Sequence, residues 1–92
     1  MKGMRRKVLK SKEVTIELAS GLEARPVAML VQVASQYESR IYMEYANKKV
    51  NAKSIMGMMS LVLPVGEKVV VTADGSDEDT AIASIEKYLS AE

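Results

Sequence analysis

Gly21-Leu22-Glu23-Ala24-Arg25-Pro26 is where the chain changes its periodicity. Before it, Val14, Ile16 and Leu18 alternate with Glu13, Thr15 and Glu17, the period of a strand with one face buried. After it, Val27, Leu30, Val31 and Ala34 recur at i, i+3, i+4 and i+7, the apolar stripe of an amphipathic helix. Ser20-Gly21 breaks the alternation, and Pro26 falls in the first helical turn, where its missing N–H costs little. The hexapeptide joins a strand to a helix, and Glu23 stands at the junction.

The same two periods order the rest of the chain. Arg40 to Tyr45 alternates, with Ile41, Met43 and Tyr45 on one face. Ala46-Asn47-Lys48 reads as a hairpin turn into a short strand around Lys49 to Asn51. Ser54 is a natural N-cap for a short helix over Ile55 to Ser60. Pro64 and Gly66 punctuate a loop, and the valine-rich segment from Glu67 to Ala73 predicts a central strand. Asp74-Gly75 turns the chain. Ser76, Asp77, Glu78 and Asp79 then make an acidic helix start, and Ala81, Ile82, Ile85, Tyr88 and Leu89 form that helix's stripe. The order is βαββαβα, an α+β domain with no internal repeat or linker.

With 92 residues the chain makes one domain, with room for a single two-layer core. No apolar run approaches the ~18 residues that would suggest a membrane span. The chain has no cysteine and no histidine. Disulfide frameworks, thiol nucleophiles, Ser-His-Asp triads and the usual ligands of zinc and most transition metals are therefore absent, and no cofactor is expected. Six basic residues, Lys2, Arg5, Arg6, Lys7, Lys10 and Lys12, precede the first acid, Glu13; beyond them seven basic residues face twelve acidic ones. Residues 1–12 thus read as a basic N-terminal arm and 13–92 as the domain. A solvated leader is the plain reading of the arm, so direct nucleic-acid binding is not expected. No apolar h-region follows the charges, which leaves the cytoplasm as the expected location.

Gly21-Leu22-Glu23-Ala24-Arg25-Pro26 resembles the phosphorylation-site motif of the HPr family, the small phosphocarriers of the bacterial phosphotransferase system. That motif runs Gly, apolar, His, Ala, Arg, Pro, and its histidine carries the phosphoryl group. A second block, Val50-Asn51-Ala52-Lys53-Ser54-Ile55-Met56-Gly57-Met58-Met59-Ser60-Leu61, is similar to the family's regulatory serine segment. The resemblance covers about Glu13 to Leu89. It implies an open-faced β-sandwich: a four-stranded antiparallel sheet of order 1-4-2-3, with three helices on one face.

The resemblance implies regulation without relay. At the histidine position, at the start of the first helix, backbone N–H groups favour a phosphoryl group and Arg25 would help neutralise it. Imidazole presents a neutral nucleophilic nitrogen near physiological pH. The Glu23 carboxylate attacks phosphorus less readily, so no catalytic residue and no enzymatic activity are expected. Two readings of Glu23 stay open, a helix cap or a fixed charge that imitates phosphohistidine. Members of the Crh type also lack the histidine, though they carry glutamine there. Ser54 would be modified by an HPr kinase/phosphorylase, and the modified chain would bind a LacI-type transcription regulator of the CcpA kind in carbon catabolite repression. The implied partner surface is Glu23, Ala24, Arg25, Ala28, Met29, Ile55, Met56 and Met59. Ala28 and Met29 lie off the first helix's stripe and are expected to be exposed, whereas Met58 is expected in the core. The alternative is a working phosphocarrier, whose partners would be the phosphotransferase enzymes.

Overall fold

The computed structural model describes residues 10–19 and 21–90. Its elements are β1 (Lys10–Thr15), α1 (Ala24–Ser35), β2 (Arg40–Tyr45), β3 (Lys48–Asn51), α2 (Ile55–Met59), β4 (Lys68–Asp74) and α3 (Glu78–Leu89). The strands form one sheet of order β1-β4-β2-β3, and every neighbouring pair is antiparallel. This is the expected βαββαβα open-faced sandwich.

Register explains why β4 is central. Val69 pairs with Val14 of β1, while Val71 and Ala73 pair with Met43 and Ile41 of β2, so alternate residues of three strands share one buried face. Val27, Leu30 and Ala34 of α1, Met58 of α2, and Ala81, Ile82, Ile85 and Leu89 of α3 cover that face. Of the stripes read from the sequence, Val31 and Tyr88 are only partly buried, packed against the edge of this core, and the other helix positions are buried.

One boundary differs from the periodicity. β1 begins at Lys10, and Lys10, Ser11 and Lys12 pair with Ala73, Thr72 and Val71. These residues carry no apolar alternation because they extend along the sheet edge, held by the ladder and by polar side-chain contacts. Their ammonium groups reach α3, Lys10 to Asp79 at 3.5 Å and Lys12 to Glu86 at 2.9 Å. The remainder of the basic arm, residues 1–9, lies outside the described residues.

The connections are tied down by polar groups. Asp77 opens α3, yet its side chain does not cap that helix. It accepts instead from the backbone N–H groups of Glu38 (2.9 Å) and Ser39 (3.0 Å) and from the Ser39 hydroxyl. The Ser39 hydroxyl, followed by the Glu38 N–H, holds the Asp77 carboxyl below the ordinary aspartate range. Gly75 permits this closure, since a Cβ there would lie 2.6 Å from the Ser39 Cα. The Tyr88 hydroxyl donates to the Pro26 carbonyl at 3.1 Å, fixing α3 against the first turn of α1.

Candidate functional site

Glu23 is the N-cap residue of α1, with φ −112° and ψ −172°. Its carbonyl accepts the first helical bond, from the Val27 N–H at 2.7 Å. Its side chain makes no cap hydrogen bond, so what its carboxylate offers the helix is a negative charge at the N-terminus. Glu23, Ala24 and Arg25 are all exposed. The ion pairs among the described residues are Lys10–Asp79, Lys12–Glu86 and Lys49–Glu44, so Glu23 and Arg25 do not neutralise each other.

Ser54 is built differently. It is the N-cap of α2 in an extended conformation, and its Oγ accepts from the Gly57 N–H at 3.2 Å while its carbonyl accepts from Met58 at 2.9 Å. The segment that leads into it is held by hydrogen bonds. The Asn51 side chain accepts from the Lys53 N–H (2.8 Å), the Lys53 ammonium donates to the Tyr37 carbonyl (2.5 Å), and the Ala52 N–H donates to Ile41 (2.8 Å). Ser54 is thus a half-exposed hydroxyl on a fixed backbone.

Around these two helix starts the surface is apolar. Met56 is 82% exposed, and Met29, Ile55 and Met59 are each close to half exposed, while Met58 is buried as expected. α1 and α2 pack against each other, which brings both sets onto one helical layer. Ala28 departs from expectation: it is half buried.

Two apolar side chains belong to this surface and were not expected there. Val62 and Val65, in the loop between α2 and β4, are about half exposed at 51% and 54%. Backbone pairing brings that loop beside Glu23: the Leu22 N–H donates to Leu63 at 2.7 Å and the Leu63 N–H returns to Leu22 at 3.0 Å. Ala19, Glu23, Val62, Leu63, Pro64 and Val65 line the resulting cleft. The signal was present in Leu61-Val62-Leu63, but a run apolar at every position has no polarity contrast to say which residue faces out.

Among the described residues no group of three or more His, Cys, Asp or Glu is arranged to hold a metal ion. No helix among them is long and apolar enough to cross a membrane.

Comparison with known proteins agrees with this geometry. A family model described as the PTS HPr component phosphorylation site matches residues 10–91. The chain is 44% identical over 80 residues to the HPr-like protein Crh of Bacillus subtilis, covering 87% of this chain and 94% of that one. The crystal structure of a phosphocarrier protein HPr from Bacillus anthracis superposes with a TM-score of 0.85 at 41% identity, over 88% of this chain and 96% of that one. A crystal structure of Bacillus subtilis Crh, described as a domain-swapped dimer, gives a TM-score of 0.70 at 39% identity, over 97% of this chain and 93% of that one. Matched from its first strand to its last helix, with glutamate where the phosphorylation motif has histidine, the chain belongs to the HPr family and is similar within it to Crh.

Proposed function

We propose that this chain is a regulatory, non-enzymatic HPr-like protein of the cytoplasm, working through Ser54 and not through position 23. An HPr kinase/phosphorylase transfers the γ-phosphoryl group of ATP to the Ser54 Oγ, releasing ADP. The phosphorylated face then docks on a LacI-type regulator of the CcpA kind in catabolite repression. The observation that carries this reading is the pairing of an accessible, rigidly presented serine with a glutamate at the relay position.

The physical fit supports it. Phosphorylation adds about −1.5 to −2 charges at an N-cap, where they are tolerated without refolding. The phosphate supplies the switch by pairing with arginine or lysine on the regulator, and the exposed methionines supply adaptable contact area. The phosphocarrier reading has less support, because it needs an imidazole that the chain lacks.

Binding of the Ser54-phosphorylated chain to a CcpA-type regulator tests the proposal. Met56→Asp leaves the Ser54 cap intact and places a charge in the centre of the docking face. A loss of about 2 kcal/mol or more, some thirtyfold in Kd, is expected for such a central position. Normal binding by Met56→Asp, with binding abolished by deletion of residues 1–9, would assign the function to the basic arm instead.

A further inference from the structure

We propose that Glu23 and the cleft beside it seat an arginine side chain presented by a protein partner. This rests on the reading of this face as a docking surface and names the chemistry that it recognises. Glu23 is exposed, its carboxylate makes no cap hydrogen bond, and it enters no ion pair among the described residues. Apart from the α1 N-terminus on which it sits, no cation among the described residues pairs with its carboxylate. The wall next to it is apolar: Val62, Pro64 and Val65 stand exposed above a buried Leu63, around a hollow of about 380 Å³. An arginine matches both parts, with its aliphatic stem on the valines and its planar head on the carboxylate.

The cleft is also preformed. The paired Leu22–Leu63 hydrogen bonds join its two walls, and Gly21 lets them approach, since a Cβ there would lie 2.7 Å from the Leu63 carbonyl oxygen. Behind them Ile16 and Gly66 exchange one bond at 2.8 Å, and Ile16 and Glu67 another. A partner thus orders little of this chain on binding, which favours affinity. In the family motif the same position holds a histidine that is negative only while phosphorylated; glutamate makes the negative charge permanent.

The test is an NMR titration of the nitrogen-labelled full chain with N-acetyl-arginine N-methylamide and with the matching citrulline, its uncharged isostere. Ligand efficiency places a fragment of this size at a Kd on the order of 1 mM. The arginine compound is expected to shift the amides of Ala19, Glu23, Val62 and Val65 saturably. Citrulline on the wild type, and arginine on Glu23→Gln, are expected to bind about fivefold more weakly, the range of an exposed ion pair. The double variant Val62→Ser, Val65→Ser should weaken both compounds. Equal affinity for the two, an unchanged Glu23→Gln titration, shifts confined to other surfaces, or no saturation overturns the proposal. The experiment uses neither kinase nor regulator, so its failure and a failure of Ser54 to accept phosphate are read separately.

Discussion

Gly21 and Gly66 both adopt positive φ, +77° and +98°, but only one of them is crowded. A Cβ on Gly66 would meet nothing within 4 Å, whereas on Gly21 it would meet the Leu63 oxygen at 2.7 Å, the Val65 nitrogen at 3.0 Å and the Pro64 Cα at 3.1 Å. Gly66→Ala therefore costs conformational strain alone, about 1–2 kcal/mol. Gly21→Ala carries the same strain and also forces the 62–65 loop away from its partner. That separation weakens two backbone hydrogen bonds at about 0.5–1.5 kcal/mol each, giving a total near 2–5 kcal/mol. In a domain of this size each kcal/mol moves Tm by about 5 °C. Thermal unfolding followed by circular dichroism should show a fall of about 5–10 °C for Gly66→Ala and about 10–25 °C for Gly21→Ala. Equal falls for the two variants would refute the idea that backbone contact at Gly21 holds the two loops together.

Two further outcomes follow from the polar contacts. The Asp77 carboxyl lies below the ordinary aspartate range, so its contribution is fully present above that range and lost as pH falls through the lowered value. Urea midpoints across acid pH should show the wild type losing its advantage over Asp77→Asn in that window; parallel pH profiles would contradict the account. Ser54→Ala removes the acceptor for the Gly57 N–H and should cost about 1 kcal/mol in urea unfolding, whereas Ser54→Asp keeps an N-cap oxygen and should stay within about 0.5 kcal/mol.

Most of the fold was legible because the apolar periods are clean. Val14 and Ile16 before the junction, and Val27, Leu30 and Ala34 after it, are all buried. Ser54 was legible as a cap from residue type and position, and its Oγ does accept from Gly57. What escaped the sequence depends on contacts between distant segments. Lys10, Ser11 and Lys12 are strand residues through pairing with β4, which their side chains do not announce. Asp77 looks like a helix cap by position, but its carboxylate serves Glu38 and Ser39, nearly forty residues away. Val62 and Val65 join the candidate surface only because Leu22 and Leu63 pair across the chain. Glu23 sits at the N-cap as its position predicts, yet its carboxylate makes no cap hydrogen bond.

The central claim is that Ser54 accepts phosphate and position 23 does not. Intact-mass and fragment spectrometry after two parallel incubations tests it most directly, one with HPr kinase and ATP and one with enzyme I and phosphoenolpyruvate. The account predicts a single phosphate on Ser54 in the first, abolished by Ser54→Ala, and none in the second unless Glu23→His is introduced. Phosphate on Ser60 or Ser76 in the first incubation, or label on the wild-type Glu23 carboxylate in the second, would contradict it.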